Sequence, residues 1–151
     1  MKVPFLLKDD RKCFVCGPEN PAGLHVNFQC VDGRAVAEFT PGEIHQGWCG
    51  IVHGGLIGLL LDEAIAYAAY FHGVNALTAR VETRFRKVVE VGRKLRIHGE
   101  VIKKKRRLLW IRATAYFEDG TLAAEADATM YVVHDQQGDA GTVPQLTGDR
   151  T

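Results

Sequence analysis

Neither sign of charge prevails in these 151 residues: 19 Lys and Arg stand against 18 Asp and Glu, for a formal net charge of +1. A chain so balanced has no global field to draw it to nucleic acid or to an anionic membrane, so neither is expected as a partner and any anion site must be local. Long uninterrupted apolar runs are lacking too. The longest carries Asp62 and Glu63, which argues against a membrane span, and the opening MKVPFLLKDDRK holds too short an apolar stretch for a signal peptide. Four cysteines without a secretory signal point to reduced thiols in a cytoplasmic protein rather than a disulfide framework. A second CxxC is missing as well. Cys13 and Cys16 supply half of a zinc knuckle by spacing; Cys30, Cys49, His25 and His45 are too scattered to complete it, so the pair is expected to be a loop with buried thiols. No metal and no cofactor is called for.

What is present suits one soluble domain: 46% of residues are hydrophobic and 25% charged, enough for one real core. Residues 1–20 form an irregular lead-in around Cys13, Cys16 and the turn PENPAG; residues 21–134 form the folded domain; residues 135–151, poor in apolar side chains, are expected to be a disordered tail. Leu24, Val26, Phe28 and Cys30 alternate with polar residues, and beyond the turn Asp32-Gly33 so do Ala35, Ala37 and Phe39, which predicts a hairpin. An apolar helix follows, from about Gly54 to His72-Gly73. Four period-two segments come next: Ala79, Val81, Thr83 and Phe85; Leu95, Ile97, Gly99 and Val101; Leu109 to Phe117; Leu122 to Val132. Short turns join them, one being the basic run Lys103 to Arg107. The class is therefore α+β, an antiparallel sheet wrapped around one buried helix. Ala124, Ala126 and Ala128 offer the helix a close seat.

The segment His45 to Tyr70 carries the chemistry. The loop HQGWCGIVHGG runs straight into GLLLDEAIAYAAY, so Gly54 and Gly55 open a helix whose first amides lack intrahelical partners and favour negative charge. A carboxylate on a buried helix must be paired, hydrogen-bonded or kept for chemistry. Suppose that the amide of Gly54 or Gly55 holds an oxyanion while Asp62 handles the proton. Eight residues at a rise of ~1.5 Å part Gly54 from Asp62 by about 12 Å, too far for one reacting centre. Two helices antiparallel about a two-fold axis bring amide and carboxylate together, so a dimer with two identical sites is expected. Glu63 lies about 100° further round and is placed with the substrate-binding residues as a salt-bridge or hydrogen-bond anchor.

CFVCGPENPAGLHVNF at 13–28, HQGWCGIVHGG at 45–55, DEA at 62–64 and ALTARVETRFRKVVEVGRKL at 76–95 together resemble the hotdog-fold acyl-CoA thioesterases of the phenylacetate-pathway (PaaI-like) type. The resemblance covers most of the chain. It implies a hotdog fold, homodimers that join two sheets edge to edge and, often, homotetramers built as dimers of dimers. It implies that the amide of Gly54 polarises the thioester carbonyl and that Asp62 of the other subunit is general base or nucleophile, of which the general-base route is preferred. Relatives often carry a side-chain amide six residues before the HGG histidine, where this chain has Gly47; either the loop bulges and Gln46, one residue earlier, takes the role, or the role is vacant. A hydroxyl that assists in some relatives aligns with Thr78.

Other residues allow two readings. Lys103 to Arg107, including Arg106, and also Arg84, Arg86 and Lys87, could hold the phosphates of coenzyme A or simply be solvated charge. His53 is expected to fix the loop, although a role as catalytic base stays open; Trp48 and Trp110 line an acyl pocket or fill the core. The leading function is acyl-CoA hydrolysis to free acid and coenzyme A. A hotdog dehydratase or hydratase of hydroxyacyl thioesters, or a non-catalytic acyl-CoA-binding protein, are the alternatives.

Overall fold

The computed structural model describes residues 9–135. In chain order it contains β1 (Gln29–Val31), β2 (Arg34–Phe39), a short 3-10 turn (Glu43–His45), α1 (Gly54–Phe71), β3 (Val74–Phe85), β4 (Leu95–Lys105), β5 (Leu108–Phe117) and β6 (Leu122–Asp135). All six strands join one antiparallel sheet in the order β1-β2-β4-β5-β6-β3. The strand that follows the helix is thus sent to the far edge, and its other side stays open.

The expected period-two faces of β4, β5 and β6 are the buried ones: Leu95, Ile97 and Gly99; Leu109, Ile111, Ala113, Ala115 and Phe117; Ala124, Ala126, Ala128, Met130 and Val132. Against them lies one face of α1, made by Ile57, Leu60, Leu61, Ala64, Ile65 and Ala68. The seat is a row of small residues across four strands, Ala35, Gly99, Ala113 and Ala126, neighbours in register. Its tightest point is Gly99 against the Ala64 backbone, so the closest approach falls on β4 and not, as expected, on β6.

Several expectations need correcting. Residues 24–28 are not a strand of the sheet, and His25 takes a left-handed φ of 52°: the N–H groups of Leu24 and Val26 donate to the carbonyls of Phe14 and Val15 at 2.9 Å. Their alternation is real, since Val26 and Phe28 are buried, but they cover the helix, Phe28 stacking on Tyr67 at 5.0 Å. On β3 the apolar face is not buried within one chain, with Val81 and Phe85 exposed. Lys103 to Lys105 belong to β4, leaving only Arg106 and Arg107 in the turn. The expected tail lies outside the described residues, apart from Asp135, which ends β6, and so does the lead-in before residue 9.

The helix is also not buried all round. It is apolar and long enough by length and composition to cross a bilayer, but here the sheet takes one face and the segment 13–28 a second. The third, with Gly58 and Asp62, is only part-covered; a Cβ at Gly58 would meet nothing within 4 Å.

On the outer face of β4, His98 sits edge-on to Tyr116 at 5.8 Å. Burial, and then Arg34 and Arg96, hold its pKa below the ordinary 6.5. The folded state therefore binds fewer protons than the unfolded chain, and this contribution to stability is complete above 6.5 and lost as pH falls below it. Urea midpoints compared at pH 7.5 and pH 5 should fall more for wild type than for His98→Gln; equal falls would exclude the coupling.

Candidate active site

The loop before α1 is tied at both ends. Glu43–His45 forms a single 3-10 turn, the His53 N–H donates to the His45 carbonyl at 2.9 Å, and the Val52 N–H to Val89 at 2.9 Å. Gln46, expected to orient water or substrate, accepts from the Gly50 N–H at 3.0 Å and is exposed; it braces the loop. Gly47 lies on the groove instead.

His53 is the N-cap of α1, and its Nδ1 accepts from the Gly55 N–H at 2.9 Å. Leu56 and Ile57 donate to the His53 carbonyl at 3.0 and 3.3 Å. Gly54 is thereby left as the first-turn amide without an acceptor among the described residues. The helix-end argument left Gly54 and Gly55 equivalent and the resemblance singled out Gly54; the histidine cap separates them. An Nδ1 that accepts carries no proton, so the neutral ring bears its hydrogen on Nε2, which suits a loop anchor and not a base.

Gly54 opens onto a groove of about 690 Å³ lined by Trp48, Ile51, Ile57, Phe85, Val88 and Val89, with Arg86 and Lys87 also on its wall. Trp48 is 83% exposed and Val88 60%, a large apolar surface for one chain to leave in water. Arg86 is held by Glu125 at 2.9 Å, and Arg84 by Glu82 at 2.9 Å. Lys87 has no acidic partner among the described residues. Arg106 is at the opposite end of the β4–β5 hairpin, by the register Lys105 to Leu108 to Tyr131, whereas Phe85 pairs with Ala124; within one chain it cannot share this groove. Trp110 is on neither groove nor core, its ring lying 5.3 Å from the Lys103 ammonium.

Asp62 and Thr78 are together: the Thr78 hydroxyl donates to Asp62 Oδ1 at 3.0 Å, part-buried. Neither lines the Gly54 groove, as the helical rise demands. Glu63, expected beside substrate, faces the other way and accepts from Cys13 Sγ at 3.4 Å. Burial first, and then Glu63, push the Cys16 thiol well above its usual range. This convergence of Cys13, Cys16 and Glu63 was not foreseen, because fifty residues part Cys13 from Glu63.

An antiparallel sheet curled around a single core helix, with a glycine amide open at the helix start, defines the hotdog class. The chain belongs to the thioesterase superfamily, whose family pattern matches residues 49–124. It is 26% identical over 92 residues to the human acyl-coenzyme A thioesterase THEM5, a match covering 61% of this chain and 37% of that protein; this chain thus spans well under half of that relative's length. Its fold is similar to that of a thioesterase protein from Streptococcus pneumoniae solved with coenzyme A (TM-score 0.70, 20% identity, 74% of this chain and 90% of that one). It is also similar to that of the E. coli PaaI protein of the phenylacetic acid degradation operon (TM-score 0.70, 19% identity, 75% and 83%).

Proposed function

We propose that this protein hydrolyses acyl-CoA thioesters at sites completed across a homodimer. One observation carries the reading: Gly54, the first-turn amide without an acceptor among the described residues, stands at the mouth of an apolar groove, while a hydroxyl-braced acid, Asp62, stands further down the same helix on its part-open face. The open edge of β3, the open face at Gly58, and the exposed Trp48, Phe85 and Val88 give a second subunit its contact surface. The streptococcal protein was also solved with an aspartate and, separately, a threonine replaced by alanine, sixteen positions apart; Asp62 and Thr78 have that spacing.

The acyl group lies along the groove, and the thioester oxygen meets the Gly54 N–H, whose placement at a helix start favours the charge that develops there. Thr78 holds Asp62 Oδ1, leaving Oδ2 to take a proton from the attacking water. The tetrahedral intermediate collapses with loss of the thiolate, a leaving group good enough to depart without a strong acid. Lys87, on the groove and without an acidic partner among the described residues, is the cation best placed for a coenzyme A phosphate. A dehydratase would need a basic histidine, and His53 has its accepting nitrogen occupied by Gly55.

The test is release of free thiol from short, medium and aromatic acyl-CoA substrates by purified protein. Steady release from at least one class is expected. Binding without release would favour a carrier, and a change in double-bond absorbance without thiol would favour the dehydratase.

A further inference from the structure

We propose that Cys13, Cys16 and Glu63 bind one divalent zinc-like cation that fastens the N-terminal segment to the core helix. The backbone there has the shape of a metal knuckle. The N–H groups of Val15 and Cys16 donate to Cys13 Sγ at 3.4 and 3.5 Å, the Gly17 N–H donates to the Cys13 carbonyl at 2.9 Å, and a Cβ on Gly17 would collide with the Cys13 backbone, at 2.6 Å from its oxygen. Such a turn presents two sulfurs on one side.

The helix supplies the third donor. Sγ of both cysteines and a carboxylate oxygen of Glu63 lie within 4.8 Å of one another, all part-buried, and the Cys13–Glu63 separation is 3.4 Å. Tetrahedral zinc with sulfur at about 2.3 Å and oxygen at about 2.1 Å sets its donors about 3.5–3.8 Å apart, a spread that side-chain rotation reaches. An independent observation points the same way. Glu63 stands on the core helix next to buried Leu60 and Ala64, yet no ion pair to it exists among the described residues. A part-buried carboxylate with no ion pair among the described residues lacks a cationic partner; a divalent ion coordinated to it is that partner, the two thiol protons passing to solvent so that the net charge of the cluster is unchanged. His25 is not among the donors that lie within 4.8 Å of one another; the fourth position falls to water.

The full chain, reduced and freed of metal, is titrated with Co²⁺ under anaerobic conditions and then with Zn²⁺. One Co²⁺ per chain is expected, with intense visible bands of a tetrahedral site and thiolate charge-transfer absorption, both bleached by Zn²⁺. Cys13→Ser and Cys16→Ser should lose the bands, Glu63→Gln should weaken binding about 10–100-fold, and the double variant Cys30→Ser/Cys49→Ser, which alters the two exposed thiols, should bind as wild type does. The wild-type spectrum decides the matter even if a cysteine variant fails to fold. A pale octahedral spectrum, no stoichiometric uptake, or bands that vanish only with Cys30 and Cys49 would overturn the proposal.

Discussion

Asp62→Asn lowers kcat for acyl-CoA hydrolysis by about 10²–10⁴-fold, the usual worth of a general base, while KM and the dimer hold. The carboxamide keeps the size of the carboxylate and can still accept the Thr78 hydroxyl, which now meets Asp62 Oδ1 at 3.0 Å, but it cannot take a proton from water. Gly54→Pro is the matching change at the other pole. Proline is well tolerated at the first helical position, His53 already has the extended ψ of 129° that a residue before proline prefers, and a Cβ at Gly54 meets only Phe85, at an ordinary contact distance of 3.6 Å. It deletes the first-turn amide that has no acceptor among the described residues. Each variant alone is expected to be nearly inactive. Mixed, dissociated and reassociated at random, half of the dimers pair the two variants, and each of these holds one intact site with Gly54 from one chain and Asp62 from the other. About a quarter of wild-type activity should return. No recovery, with hybrid dimers demonstrated, would mean that amide and acid do not meet across the two-fold, and a fully active Asp62→Asn dimer would remove Asp62 from the chemistry.

The separation of Gly54 from Asp62 was legible in the sequence because it depends on counting along one helix, where rise per residue is fixed. The faces of β4, β5 and β6 were legible for a like reason, since period two is local. What escaped was anything set by a neighbour distant in sequence. Leu24 to Phe28 have the alternation of a strand, but nothing in those residues tells that their amides go to the loop at Phe14 and Val15. Glu63 reads as an anchor without a partner until Cys13 is folded against it. Gly54 and Gly55 are indistinguishable in a sequence, and only the histidine ring turned onto the second amide shows which is free. Phe85 and Val81 have a core-like pattern on β3, yet that strand is the sheet edge, and the apolar face it carries is exposed in a single chain.

Gly99→Ala is expected to cost about 3 kcal/mol or more, at the upper end of overpacking effects, although a methyl group is the smallest addition possible and alanine is no worse than glycine in a strand. The reason is what lies over it. A Cβ at this position would run into the Ala64 carbonyl oxygen and come within 2.8 Å of its carbon. Those atoms belong to the helix backbone, which no rotamer change can move. Register makes the same point from the sheet: Gly99 lies between Ala35 and Ala113, with Ala126 beyond, all buried, so the helix beds on a row of the smallest side chains and touches backbone at its centre. To admit a methyl group the whole helix must lift, loosening Ile57, Leu60 and Ile65 from the core and shifting Gly54 and Asp62 together. Urea unfolding should show the loss as a lowered midpoint with unchanged slope, and residual folded protein should hydrolyse thioesters more slowly than its folded fraction accounts for. A midpoint equal to that of wild type would mean that the helix does not rest on β4 as closely as this geometry has it.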